Sequence, residues 1–532
     1  MFFKNFYSKM LSVFLAGLFL LTGVMPTKAA PVTSPMSAGV TFIVNSTLDQ
    51  PDDLTMPGTC HTAANTCTLR AAIMQANRTS GVGATIILPA GTYTLTIPAA
   101  GVDGEENGDL NLTTPISGTP TITISGAGAD STFIDINQLD RVFKIHTGRT
   151  ATISGVTIMD GYAPLSHGGG IYNEGTLNVT NSTISGNIAA LRGGGIYNYL
   201  SGILTITNSI ISGNSASEKG GGILSYGTLT VTNSTISGNS ATNGGGIFST
   251  TKTLMITNST VSGNSAENGG GGIAIDINGT SNISASTISG NFAMYGGGIF
   301  NLSAKLITIT NSTVAGNQAS RHGGGVYNDG TEGTTHTYIY NTSVVFNAAD
   351  MNDGDAFIGE GGGIYNKISN STFLHLTNSL VAGNTAGLIP VYDDCFGTLY
   401  AQGNNLIGAA SVSPNGDSCT IDTSYGSYAL LNDLSLLGPL QNNGGSTETV
   451  ALLPGSNAID SGTTTFGCVG HDLATLTTDQ RGVARPQGSP CDIGAYENNE
   501  VAVNITIGGV NRGNYNVAQG ASQRVNYAGL DA

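Results

Sequence analysis

The chain has 532 residues, 77 of them Gly, with 10% charged residues, 7% aromatic residues, no Trp and a formal net charge of −16. So few charges exclude a coiled coil, and 16 Pro without a strict every-third Gly exclude collagen. The regular supply of Ile, Val, Leu, Thr and Tyr excludes charge-driven disorder. An acidic balance of this size repels nucleic acid and anionic lipid.

Residues 1–29 read as a secretory leader. Lys4 and Lys9 precede an apolar run from Leu11 to Leu21, and Thr27 and Ala29 put small residues at the −3 and −1 positions of a cleavage site. The run is short for a bilayer span, which makes a retained anchor the weaker reading, and no later segment is apolar enough to cross. Cleavage removes Lys4, Lys9 and Lys28 and leaves 15 basic against 34 acidic residues, a balance of −19. Six Cys suit an oxidising compartment. They fall into sequence-local pairs, Cys60 with Cys67, Cys395 with Cys419 and Cys468 with Cys491. Other pairings are open on sequence alone. A zinc site at Cys60, His61 and Cys67, or at Cys468 and His471, is the rival reading, and its spacings fit no paired ligand motif.

Residues 67–77 (CTLRAAIMQAN) form the one helical stretch, with Leu69, Ile73 and Ala76 on one face. It suits a lid on whatever follows. Residues 84–88, 92–97, 121–125, 132–136 and 150–158 are β-type runs. Residues 30–150 are therefore read as an N-terminal cap with early, irregular coils.

The middle of the chain repeats. Gly triplets end at Gly170, Gly195, Gly222, Gly246, Gly272, Gly298, Gly325 and Gly363, at intervals of 25, 27, 24, 26, 26, 27 and 38 residues. Each unit holds three short β-type runs, for example 170–173, 176–180 and 183–185, and none has helical period. Leucine-rich and calcium-binding nonapeptide repeats lack their frames here. The pattern predicts an all-β, right-handed parallel β-helix over 151–390, one unit per coil, like positions stacking at about 4.8 Å. The inward ladders are Ile171, Ile196, Ile223, Ile247, Ile273, Ile299, Val326 and Ile364, then Leu177 with Val179, then Ile184, Ile211, Ile236, Val261, Ile288 and Val314. Asn181, Asn208, Asn233, Asn258 and Asn311 stack as turn residues, which also explains the Asn-x-Ser/Thr acceptor sequences among them. The Gly triplets supply tight or left-handed corners.

The residue after each inward Ile points outward. Tyr172, Tyr197, Phe248, Phe300, Tyr327 and Tyr365 would form an aromatic stripe. It reads either as a glycan-binding face or as packing under flanking loops. Two positions on, Asp276 and Asp329 fall two coils apart, about 9.6 Å by strand spacing. That is the best carboxylate pair for glycoside hydrolysis, and a solvated surface explains it equally. Arg192, Lys219 and Arg321 precede Gly triplets beside a position held elsewhere by His, Asn, Tyr or Glu, which reads as an exposed turn. Asp350, Asn352, Asp353 and Asp355, with Glu360, resemble a calcium loop out of frame, so calcium is a possible ligand and a polar loop the alternative. The acidic run Asp103, Glu105, Glu106 and Asp109 is open in the same way. The seven His are scattered and form no legible triad.

Residues 67–77 resemble the motif that names the CSLREA domain, with Thr68 and Ala71 departing from it. Residues 442–462 and 479–497 resemble the choice-of-anchor Q domain, and the Gly-Gly-Gly-Ile-Tyr-Asn and Ser-Gly-Asn elements resemble polymorphic outer-membrane repeats on a pectin-lyase-like fold. The resemblance covers most of 40–497 and implies a β-helix presented at a bacterial surface, with no catalytic residue to carry over. Residues 391–497 are then the last coils and a C-terminal cap, in which Asp479, Arg481, Arg485 and Asp492 form a paired network rather than a site. Residues 498–532 hold β-type runs at 501–507, 514–517 and 524–527, read as the start of a further, truncated domain. The functional expectation is an extracellular, monomeric scaffold or adhesin-like binder of glycans or cell surfaces, without catalysis. A polysaccharide lyase or glycoside hydrolase on the same fold is the alternative.

Overall fold

The computed structural model describes residues 39–518 apart from short stretches, the longest being 350–358 and 409–418. The leader and the run at 524–527 lie outside the described residues. From Gly39 onward the chain is one unit, and it winds as a parallel β-solenoid. Four short strands build each turn, where the sequence predicts three. We name their stacks by the residue that recurs in each. Ile171–Asn173 belongs to the triglycine sheet, Thr176–Thr180 to the threonine sheet, Thr183–Ser185 to the serine sheet and Ile188–Ala189 to the alanine sheet. The fourth escapes sequence reading because two-residue strands carry no alternation.

Coil-to-coil pairing is parallel and in register. Leu177 faces Leu204 and then Leu229, Val179 faces Ile206 and then Val231, and Ile184 faces Ile211 and then Ile236. These ladders share one continuous core in which nearly every inward Ile, Leu and Val is fully buried. Such burial stabilises by about 1.5–3 kcal/mol per large aliphatic residue. The triplets are required at each corner. Gly168 has φ +70°, and a Cβ on Gly169 would stand 2.6 Å from the Gly194 carbonyl oxygen of the next coil. Asn181, Asn208, Asn233, Asn258 and Asn311 all sit left-handed between the threonine and serine sheets, as predicted, with Ala285 in that role in one coil.

A second asparagine series runs inside. Asn187, Asn214, Asn239, Asn264, Asn291, Asn317, Asn347 and Asn384 are all 0–1% exposed. Each Nδ2 donates to the Oδ1 of the next at 2.8–3.0 Å, and Asn384 donates to the Asp394 carboxylate at 2.7 Å. A chain whose members all donate in one direction needs an acceptor at its end, and the Asp394 carboxyl oxygen is that acceptor.

The helix spans Leu69–Asn77, and Thr68 Oγ1 caps it by accepting the Ala71 N–H at 3.2 Å. Leu69, Ile73 and Ala76 join the core, as their common face predicts. Arg70 pairs with Asp49 at 2.7 Å and donates to the Gly108 carbonyl at 2.9 Å, while Asn77 donates to Glu105 and to the Asn111 carbonyl. Of the acidic run, Asp103 lies outside the described residues, Glu105 holds Asn77 and Arg78, and Asp109 pairs with Arg141 at 2.6 Å.

At the other end Cys395–Ile407 and Cys419–Leu430 are long strands joined by the Cys395–Cys419 disulfide. The chain then turns back. The hairpin Leu437–Gln441 with Thr449–Leu452, and the segment to Glu497, lie along the outer flank of the serine sheet rather than over the last coil. Leu437, Val450, Leu452 and Ile493 pack on Ala315, Val345 and Ala382, which replace the outward Ser of earlier coils. Glu500–Ile507 and Val510–Ala518 form an antiparallel hairpin. Cys60–Cys67 and Cys468–Cys491 are also disulfides, which removes both zinc readings because the thiols are consumed.

Asn264→Ala strips the acceptor from Asn239 and the donor from the Ile236 carbonyl, and should cost about 2–4 kcal/mol. Asn258→Gly, at the left-handed corner, should stay within about 1 kcal/mol. Thermal unfolding followed by circular dichroism separates the two. Equal losses would show that the buried series carries no special stability.

Candidate functional site

The triglycine sheet places the predicted aromatic positions in one outward column, paired Tyr172 to Tyr197, Phe300 to Tyr327 and Tyr327 to Tyr365. Phe396, which the sequence reading missed, extends it beyond Tyr365. The column is not an open stripe: Tyr197, Phe248 and Tyr327 are only 4%, 4% and 7% exposed. For the tyrosines the cause is the coil spacing, which is also the stacking distance of rings, whereas Phe248 is packed between Leu224 and Ala274. Ring centroids lie 4.9 Å apart for Tyr172–Tyr197, 4.8 Å for Tyr327–Tyr365 and 4.6 Å for Tyr365–Phe396. Faces are spent on neighbours.

Two rims cover the remaining edges. On one side stand His167, Arg192, Lys219, Tyr295 and His322, from the residues just before the Gly triplets. The sequence reading placed these in exposed turns. Instead His167 stacks on Tyr197 at 4.6 Å, His322 on Tyr365 at 4.7 Å, and Lys219 Nζ sits 4.4 Å from the Phe248 centroid. Arg192 donates to Tyr226 Oη at 3.0 Å and Arg321 to Tyr295 Oη at 3.1 Å. The opposite rim holds Tyr199, Tyr226, Asp276 and Asp329. Burial pushes the Tyr172 phenol up to about 12, with Glu174 adding to it, and raises Tyr197 and Tyr327 further. These phenols stay neutral donors at physiological pH. Burial, then Arg192, lowers His167, which therefore stacks uncharged.

The carboxylate pair does not act as one unit. Asp276 lies 3.8 Å from Lys219, whereas Asp329 meets Lys367 at 3.0 Å and also accepts from Thr331. A third ion pair on this face joins Arg192 to Glu218 at 2.6 Å. Asp350, Asn352, Asp353 and Asp355 lie outside the described residues. Among the described residues no group of three His, Cys, Asp or Glu is placed to hold a metal ion.

A second ring cluster was illegible in sequence. On the outer threonine sheet, His336 stacks on Phe373 at 5.0 Å, Tyr338 on His375 at 4.5 Å, and His471 closes over Tyr338 at 4.8 Å. Burial, then His336, lowers His375 to about 4. The only sequence signal is the replacement of outward Thr by ring residues at 336, 338, 340, 373 and 375.

The C-terminal network fixes the flanking segment. Arg481 pairs with Asp479 at 2.7 Å, and Arg485 pairs with Glu497 at 2.8 Å with both side chains fully buried. Glu497 is the partner that sequence reasoning missed. Asp492 accepts from the Asp460 and Asn498 amides.

No curated protein matches the chain. Residues 208–226 match the family model of the Chlamydia polymorphic membrane protein repeat. Among solved structures the chain is similar to pectate lyase Pel9A, at 13% identity and a TM-score of 0.32, over 87% of this chain and 97% of that one. Among the described residues no helix is long and apolar enough to cross a membrane.

Burial, with Glu497 adding to it, lifts Asp492 to about 7, so the folded state holds a proton that the unfolded state releases near 3.8. Its contribution is full below the unfolded value and is lost as pH rises to about 7. Asp492→Asn should flatten this fall in thermal stability between those limits. An unchanged pH profile would contradict it.

Proposed function

We propose that this chain is an exported surface β-helix that binds an uncharged, extended glycan along the triglycine face, without cleaving it. The observation that carries the reading is the pairing of an apolar column, rings at most coils with Leu224 and Ala274 between them, with a rim of phenols and charge pairs. Tyr199 is 37% exposed, and Tyr226 is half-buried with its hydroxyl held by Arg192. Such groups offer apolar surface beside fixed hydrogen-bond donors and acceptors, which is how sugars are held. Because Arg192, Lys219 and Lys367 are each matched by a carboxylate, the face favours neutral over anionic chains. Column rings such as Tyr197 shape the floor, and the rim makes the contacts. The short match to a polymorphic membrane protein repeat supports a surface role.

In a glycan array, Tyr199→Ala combined with Tyr226→Ala should weaken binding about tenfold, the loss of roughly 1.4 kcal/mol, with the β-sheet circular dichroism spectrum retained. Undiminished binding would refute the site. Glycan cleavage by the unsubstituted protein, abolished in Asp276→Asn or Asp329→Asn, would replace this reading by the enzymatic one.

A further inference from the structure

Where the C-terminal segment lies on the solenoid, the left-handed asparagine corner receives it. Asn311 Nδ2 donates to the Thr478 carbonyl at 2.8 Å, and Asn341 Nδ2 to the Val469 carbonyl at 2.8 Å. Asn378 Oδ1 accepts the Thr463 N–H at 3.0 Å. Those three partners are main-chain groups, and Asn311 Oδ1 also accepts from Arg485 Nη1 at 3.2 Å, so each of these corners engages the polypeptide backbone. The segment reaches the coil of Ala285, whose carbonyl accepts from Thr447 Oγ1 at 3.3 Å. Toward the N-terminus the same corner continues as Asn258, Asn233, Asn208 and Asn181, with φ of 48–50°. Asn181, Asn208 and Asn233 are exposed there. At the far end, loop residues 126–130 bound a groove of about 490 Å³ lined by Asn181, Asn208 and Ile210.

We propose that this uncovered corner docks an extended peptide in the polyproline II conformation, held through its backbone carbonyls. The surface continues one already occupied by backbone, and its spacing selects the conformation. Alternate asparagines lie two coils apart, about 9.6 Å. A polyproline II chain presents the same face every third residue, about 9.3 Å, with carbonyls that make no internal hydrogen bonds. Asn181 with Asn233, or Asn208 with Asn258, therefore meets carbonyls on one face. A β-strand repeats its face at about 6.6 Å and falls out of step.

The partner is uncharged: residues 181–185, 208–212, 233–237 and 258–262 contain no Lys, Arg, Asp or Glu, and Asp130 stands apart in the end loop. A second copy's flanking segment does not fit, because it packs on Ala315, Val345 and Ala382, whereas these coils present Ser185, Ser212, Ser237 and Ser262. The site lies on a different face from the aromatic column and does not depend on it.

Fluorescence anisotropy of a labelled oligoproline peptide against the full chain tests the proposal. Asn181→Gly with Asn233→Gly keeps the left-handed backbone and removes both amides, and should weaken binding at least about tenfold. Asn181→Asp with Asn233→Asp replaces donors by acceptors and should do the same, which guards against a folding defect in the Gly pair. Absence of oligoproline binding, equal binding by both variant pairs, or equal binding of a Gly-Ser peptide of the same length would overturn it. So would a soluble glycan that displaces the peptide from these asparagines.

Discussion

The buried asparagine series is the constraint on which the rest of the solenoid depends. An aliphatic ladder is tolerant: Ile, Leu and Val interchange along it, and it fixes spacing without fixing register. An amide inside the core is not tolerant, because each unmet donor or acceptor costs about 1–3 kcal/mol. From Asn187 to Asn347 each carboxamide donates to the amide of the next coil and meets main-chain groups beside it. A slip of one residue would leave the whole series unmet. The aligned amides also polarise one another, and the series ends with Asn384 donating to Asp394.

That register decides what the outer surface can be. Once coils are locked at strand spacing, any outward position that repeats becomes a column. Where the column is aromatic, its rings stack and close their own faces, so recognition passes to the rims. Where it is asparagine in a left-handed corner, a row of amides faces outward at fixed intervals. Where it turns from Ser185 and Ser237 to Ala315 and Val345, the face becomes apolar and takes the returning C-terminal segment. One stacking rule therefore yields a ring column, a donor rail and a docking flank.

The inward ladders were legible because β-branched residues recur at fixed offsets from each Gly triplet. The left-handed corner was legible because Asn is one of few side chains that accept it. The inner asparagines were not: Ser-Gly-Asn reads as a turn in any single unit, and only stacking shows that its Asn points inward. The aromatic direction was legible, but the choice between an open face and packed rings was not, since it depends on neighbouring coils and on His167 and His322 closing over the rings. The flanking path of 441–497 had a signal in the Ser to Ala and Val change at 315, 345 and 382, which makes sense only once those positions are known to face out. His336, His375 and His471 converge from distant stretches, and no spacing in sequence announces that.

Native-state hydrogen exchange tests the dependence on the inner series most directly. The main-chain amides of Asn187, Asn214, Asn239, Asn264 and Asn291 each donate to the side chain of the next member. They should be among the slowest in the chain and should open together, because one break exposes its neighbours. Exchange of these amides as fast as those of the outer corner asparagines, or independently of one another, would contradict the account.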